Sequence, residues 1–246
     1  MDPQRIGWDC RAVIRSVLTL LFWIIFTPLA ALIGFPWTFI SGKVDFLYRI
    51  AIWGTRTGVR MAGVRTQTVG LDRLDRRGAY IYMSNHVSNL DPPLLLPAIP
   101  QRTSVMAKRE LFRIPLLGRA MRMASLVPID RSNKEAAIAS VRAAGEVLRS
   151  GISMVVFPEG TRSPDGRLLP FKKGPFYMAM ETGVAIVPVT IVGTEKMLPK
   201  GKSFVRPGTA TVIFHSPIEA AGFNDRDMLM NAVRDAIASA LPPERH

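Results

Sequence analysis

Cysteine is almost missing from this chain. Its 246 residues contain one, Cys10, which excludes an internal disulfide. Cys10 stands before the first hydrophobic segment and far from the other polar clusters, which argues against a cysteine nucleophile. Nothing in the chain asks for an oxidising compartment. Histidine is scarce too, with three residues. His215 and His246 stand alone, so no metal-ligand cluster forms, and His215 at a strand end reads as structural. The chain has no Gly-x-x-x-x-Gly-Lys-Ser/Thr, no Gly-x-Gly-x-x-Gly and no Gly-x-Ser-x-Gly, the usual signs of phosphate-loop, dinucleotide and serine-hydrolase sites. Internal repeats and low-complexity segments are absent, and the only tail is Pro242 to His246. Acids are also few: 19 against 32 Lys and Arg, for a net charge of +13 and a pI near 10.7. That excess demands an anionic partner, whether nucleic acid, an anionic membrane surface or a phosphorylated substrate.

The N-terminus decides among these. From Ser16 to Gly42 no residue is charged, and Val17 to Ile40 is almost wholly apolar. At about 1.5 Å per residue this run is long enough to cross a bilayer core of roughly 30 Å. A cleaved signal peptide fits poorly, because the run continues well past Ala30-Ala31. Pro28 and Pro36 interrupt it, and Trp23 and Trp37 can anchor near headgroups. One tilted span and a hairpin in one leaflet both remain open. Residues 44–64, with Arg49, Arg56 and Arg60, read as a basic amphipathic helix lying in the interface, with an ordinary packing helix as the alternative. The richer basic flank, Lys43, Arg49, Arg56, Arg60 and Arg65, places the remainder of the chain on the cytoplasmic side of the cell inner membrane. The expected organisation is membrane-anchoring helices over 1–64 and one catalytic domain over 65–246. Nucleic-acid binding would explain the charge but not the apolar segment.

Beyond residue 65, β-rich runs alternate with helical patterns. Strands are expected over Thr66–Leu71, Ala79–Met83, Thr103–Ala107, Ser125–Ile129, Ile152–Phe157, Val184–Val192 and Thr209–Phe214. Ser132-Asn133-Lys134-Glu135 is a capping-box sequence opening a helix with Ile138, Val141 and Leu148 on one stripe, closed by Gly151. Leu229, Val233, Ala236 and Ile237 form another stripe after Asp225. The pattern predicts an α/β fold: a mixed, largely buried sheet flanked by helices, with the N-terminal helical membrane anchor attached.

His86 and Asp91 lie in Asn85-His86-Val87-Ser88-Asn89-Leu90-Asp91, just after a strand-like run. A histidine held by a carboxylate makes a general base near neutral pH. At this spacing the two diverge on a helix, so they meet only in a loop or at a helix entry. Asp91 before Pro92 suits an N-cap, with Pro92 as first helical residue. The plainer reading is a cap and an exposed loop histidine. Further polar clusters come after other strands: Lys108-Arg109-Glu110-Leu111, Ile129-Asp130-Arg131, and Phe157-Pro158-Glu159-Gly160-Thr161-Arg162-Ser163, with Phe171-Lys172-Lys173 soon after. Ligands bind beyond the carboxyl ends of strands in such sheets. A Gly-Thr-Arg turn there offers backbone N–H groups, a hydroxyl and a guanidinium for a phosphate. Any one of these clusters alone reads as a solvated surface turn.

Together these blocks resemble the glycerolipid acyltransferase family, in particular its bacterial lysophosphatidic acid acyltransferase branch. His86-Val-Ser-Asn-Leu-Asp91 is similar to the family's His-x4-Asp motif, and Phe157-Pro-Glu-Gly-Thr-Arg162-Ser163 to its second signature. Lys108 to Leu111 with Pro115 and Gly118 is similar to a third block, and Val187-Pro188-Val189 to a fourth. They occur in the family's order over roughly residues 80 to 190. The resemblance implies transfer of an acyl chain from acyl-CoA or acyl-carrier protein to a lysophospholipid, without a cofactor or metal. It implies His86 as base, Asp91 as the group that orients it, and Arg162 on the acceptor phosphate. Glu159, Gly160 and Thr161 shape that turn, and Lys108 adds a second positive charge. Oxyanion donors are expected from backbone N–H groups near Val187 to Val189 or in the His86 loop. Three other readings compete: another lysolipid acceptor such as a lyso-ornithine lipid, a non-catalytic lipid-binding protein, and a hydrolase using Ser84 or Ser88.

Overall fold

The computed structural model describes residues 10–115, 117–129 and 134–246. Helix α1 (Cys10–Ser41) runs unbroken through Pro28 and Pro36, and α2 (Asp45–Met61) comes next. The two pack antiparallel. Gly34 faces Leu47, Gly54 faces Phe26 and Gly58 faces Trp23, so closely that a Cβ on either α2 glycine would come within 2.8 Å of the opposing ring. The two glycines, one helical turn apart, form a trough into which the α1 rings settle. Much of the apolar stretch of α1 is bare: Leu21, Ile25, Leu32 and Ile40 are exposed, with only 6% of its apolar window buried. The far side of α2 packs on the globular part. Arg56 donates to the carbonyl of Pro97 at 2.7 Å, and the Tyr48 hydroxyl accepts from the N–H of Thr103 at 3.3 Å. The expected surface-lying helix is thus also a packing helix.

Seven strands occur where the alternation of β-rich runs places them: β1 (Val64–Val69), β2 (Ile81–Ser84), β3 (Thr103–Lys108), β4 (Val127–Ile129), β5 (Ser153–Val156), β6 (Ile186–Val192) and β7 (Gly208–Phe214). They form one sheet in the order β1-β7-β6-β2-β5-β3-β4. All neighbours are parallel except β6 and β7, so β1 and β7 run against the other five. The sheet is mixed, as expected, and β1 therefore begins at the edge where β6 ends.

Both faces are covered, and period-2 alternation divides the strands between two cores. Tyr82, Val155, Val187 and Val189 pack with Leu94 and Leu95 of α3 (Asp91–Ala98). Ile81, Met83, Met154 and Ile186 pack on the opposite face. There they meet α5 (Lys134–Arg149), α6 (Gly174–Thr182) and α8 (Arg226–Ala238). The short helices α4 (Leu117–Met123) and α7 (Thr194–Met197) complete the fold.

Helix ends reflect local chemistry. Asp225 caps α8 by accepting from the N–H of Asp227, and Leu229, Val233 and Ile237 form its buried stripe. Gly151, with φ +82, ends α5, where Leu148 is buried but Ile138 is 45% exposed, so the stripe expected there shifts to Ala144 and Leu148. Ser132 and Asn133 of the expected capping box, and the Asp130-Arg131 cluster, lie outside the described residues. Asp91 is the first residue of α3 and not its cap, which is Leu90; Pro92 sits one place further in. The aspartate carboxylate is drawn away from capping by stronger partners.

Candidate active site

Strands β6, β2, β5 and β3 are consecutive in the sheet and parallel, so their C-terminal ends line one edge. Past β2, Asn85 turns the chain. Its buried side chain donates to the carbonyl of Ile191 at 2.9 Å and accepts from the N–H of Ile191 at 2.8 Å, behaving like a strand neighbour to β6. The loop then wraps around Asp91, which is fully buried. Asp91 Oδ2 accepts from the N–H groups of Val87 and Ser88, both at 2.8 Å, and faces His86 Nδ1 at 2.8 Å. Oδ1 accepts from the Thr194 hydroxyl at 2.6 Å. Four donor groups thus converge on one carboxylate. The Asp91 contact selects the imidazole tautomer with its proton on Nδ1, which leaves the lone pair on Nε2. The imidazole stacks on Phe157 (centroids 4.2 Å apart, planes 26° apart), with 17% of its side chain exposed.

Glu159 does something different from what the turn alone implies. It is buried, 2% exposed; Oε1 accepts from the N–H of His86 at 2.7 Å and Oε2 from that of Leu169 at 2.9 Å. It thereby ties the His86 loop to the segment beyond β5, and Ser163 adds a second tie by donating its N–H to the His86 carbonyl at 2.8 Å. Burial is the main cause that pushes the Glu159 carboxyl up from 4.5 to about 7. Between those values the folded state holds a proton that the unfolded chain has released. Stability therefore falls as pH rises through the window, by at most on the order of 3 kcal/mol. Melting temperature measured from pH 4.5 to 7 is expected to show this downward contribution in the wild type and to lose it in Glu159→Gln. An unchanged slope in the variant would rule it out.

The Gly-Thr-Arg turn sits beside this pair. Gly160 has φ +74, the left-handed region, and a Cβ there would also press to 3.4 Å from the Lys172 side chain. Thr161 is exposed and Arg162 half-buried, and Lys200 donates to the Arg162 carbonyl at 2.8 Å. Three cationic side chains, Arg162, Lys172 and Lys200, thus come to one turn. Lys108, the last residue of β3, lies exposed on the same edge, one strand beyond β5.

The Val187–Val189 alternative for the oxyanion donors and the competing hydrolase reading both lose support. Val187 to Val189 lie inside β6 between β2 and β7, with their backbone in the sheet, and Pro188 has no N–H. In the His86 loop, the N–H groups of His86, Val87 and Ser88 are already held by Glu159 and Asp91. Ser84 and Ser88 are fully buried. The Ser84 hydroxyl bonds the Asn85 carbonyl at 3.1 Å and that of Ser88 the Leu198 carbonyl at 2.8 Å, so neither is presented as a nucleophile. Sequence reasoning also missed Thr194, Asn85, Lys200 and the Phe157 stack. Asn85 and Thr194 carried a signal: each is a polar residue just past a strand end, Thr194 behind a glycine.

A parallel-stranded edge with a His–Asp pair beside a basic turn defines a class. The Acyltransferase family profile matches residues 65–192, just over half of the chain, and the chain belongs to that family. Among named relatives, the chloroplastic 1-acyl-sn-glycerol-3-phosphate acyltransferase of Arabidopsis thaliana is 40% identical over 162 residues, covering 65% of this chain and 44% of that protein. The 1-acyl-sn-glycerol-3-phosphate acyltransferase of Borreliella burgdorferi is 28% identical over 195 residues, covering 78% and 75%. The crystal structure of the 1-acyl-sn-glycerophosphate (LPA) acyltransferase PlsC from Thermotoga maritima superposes with a TM-score of 0.78 at 28% identity, covering 93% of this chain and 95% of that one. The chain spans only 44 to 64% of the length of the first four plant relatives it matches.

Proposed function

We propose that this protein transfers an acyl chain from acyl-CoA or acyl-carrier protein to the sn-2 hydroxyl of 1-acylglycerol-3-phosphate, producing phosphatidic acid for phospholipid synthesis. The observation that carries the reading is the His86–Asp91 bond with Nε2 open beside the Arg162 turn. His86 Nε2 takes the hydroxyl proton as the oxygen attacks the thioester carbonyl. The imidazolium, steadied by Asp91, returns that proton as the thiolate leaves. One C–O bond forms and one C–S bond breaks; these steps balance without a cofactor or metal. Arg162, with Lys108 as a second cation, meets the acceptor phosphate, while Gly160 and Thr161 shape the turn. Glu159 contributes by fixing the loop.

The proposed division is an anchor over 1–64 and a catalytic domain over 65–246, at the cytoplasmic face of the cell inner membrane. The α1–α2 pair supports an anchor lying in one leaflet. Placing α1 across the bilayer would draw Arg49, Arg56 and Arg60, all exposed on α2, toward hydrocarbon, at roughly 3 kcal/mol each. Leu21, Ile25 and Leu32 changed together to Asp are expected to cut partition onto phosphatidylglycerol vesicles at least about tenfold. Undiminished sedimentation with the vesicles would exclude α1 as the anchor.

Acyl transfer in mixed micelles tests the reaction. The wild type is expected to acylate lysophosphatidic acid, and Arg162→Ala to raise its KM roughly 10- to 100-fold with less effect on the donor. An equal rise for both substrates argues against a phosphate contact, and turnover only on a phosphate-free lysolipid replaces the acceptor.

A further inference from the structure

Residues 242–246, a tail by sequence, are anchored by a buried cation. Arg245 is 9% exposed, and a guanidinium is costly to bury unless it is paired. It reaches between two loops. Nε donates to the Gly166 carbonyl at 3.0 Å and Nη1 pairs with Glu195 Oε1 at 3.1 Å, while the Arg245 carbonyl accepts from the N–H of Leu168 at 3.0 Å. Nη2 is buried with no hydrogen-bond partner among the described residues. A Cβ on Gly166 would come to 3.1 Å from Nε, so that turn leaves room for the guanidinium.

Each loop leads to His86. On one side, the Gly166 N–H donates to the Ser163 hydroxyl at 3.0 Å, and the Ser163 N–H donates to the His86 carbonyl at 2.8 Å. On the other, Glu195 Oε2 accepts from the Gly193 N–H at 2.9 Å. Between those two residues, Thr194 donates to Asp91 at 2.6 Å, and Asp91 faces His86 Nδ1 at 2.8 Å. Thr194 is fully buried, so its hydroxyl is aimed by the backbone that Glu195 braces.

We infer that Arg245 is a positioning residue for the catalytic pair. Through Glu195 and Thr194 it sets the aspartate, and through Gly166 and Ser163 it sets the histidine backbone. Its own polar contacts with the two loops are to Gly166, Glu195 and Leu168, not to His86. The inference rests on the acyl-transfer reading only for its kinetic readout.

The test uses the full chain in mixed micelles with lysophosphatidic acid and acyl-CoA. Arg245→Ala is expected to lower kcat about tenfold in the folded fraction, with both KM values within about twofold. Arg245→Lys, which can reach Glu195 but not Gly166 as well, should fall between it and wild type. Glu195→Gln keeps the volume and removes the charge; it should lower kcat about threefold and carries the test if Arg245→Ala does not fold. Combining Arg245→Ala with Thr194→Val should cost little more than the worse single change, since both act on one carboxylate. Losses that multiply, a change in KM alone, or wild-type kcat in Glu195→Gln would overturn the inference. A second readout needs no turnover: the His86 Nδ1 proton resonance, present in wild type, should be lost to water exchange in Arg245→Ala. Its persistence unchanged also overturns the inference. If wild type transfers no acyl group, the reaction reading fails while this readout still decides the positioning role.

Discussion

His86→Ala is expected to lower kcat by about 10^3-fold or more, with membrane binding intact and the melting temperature within about 2 °C of wild type. The reason for the separation lies in how the loop is held. Its shape is stored in backbone bonds: Glu159 takes the His86 N–H, Asp91 takes those of Val87 and Ser88, and Ser163 takes the His86 carbonyl. An alanine keeps all of them. The imidazole itself contributes one bond to Asp91 and a stack on Phe157. Kinetics and thermal melts on the same preparation check this. Turnover retained in the variant would remove the general-base assignment, and no turnover in either protein would leave the non-catalytic lipid binder.

Asp91 gives the second large effect, and two substitutions there should part company. Asp91→Ala strands buried N–H groups of Val87 and Ser88 and the Thr194 hydroxyl. The loss is expected on the order of 3–5 kcal/mol, since buried donors left unmade are costly. Asp91→Asn can keep the fold, with its carbonyl toward Val87, Ser88 and His86 and its amide toward the Thr194 oxygen, which can also accept. It removes the negative charge that steadies the imidazolium, so kcat should fall about 10^2-fold or more at near-normal stability. A fully active Asn variant would mean that Asp91 serves the loop and not the chemistry. An unstable one would mean that Thr194 cannot turn its hydroxyl.

All seven strands were legible because each is a short β-rich run bounded by breakers, and β2, β5 and β6 are buried on both faces. His86, Asp91 and the Arg162 turn were legible because they come closely after strands, at the edge where the parallel strands end. What escaped was set by contacts distant in sequence. Thr194 reaches Asp91 across 103 residues, and Asn85 reaches Ile191 across 106. Glu159 read as a turn residue because nothing local shows that burial will turn it onto the His86 backbone. Val187 to Val189 read as a donor site because their block lies in the family's order, whereas their place in the sheet depends on which strands flank them. The α2 glycines were not recognised as a seam because only the α1 rings give them a purpose.

The reversed strands β1 and β7 have a geometric consequence. Because β1 starts at the edge where β2, β5 and β6 finish, the hairpin joins the globular part on the rim that bears His86. The Ser16 hydroxyl accepts from the N–H of Val205 at that junction. In the proposed one-leaflet anchor, the depth of α1 would set the height of the imidazole above the lipid headgroups, as a gauge block sets a cutter. Under that proposal a lysolipid would slide sideways into reach without its chain ever leaving the hydrocarbon. Shifting the α1–α2 register by one turn should therefore disturb acylation on vesicles more than acylation of a dispersed, short-chain acceptor.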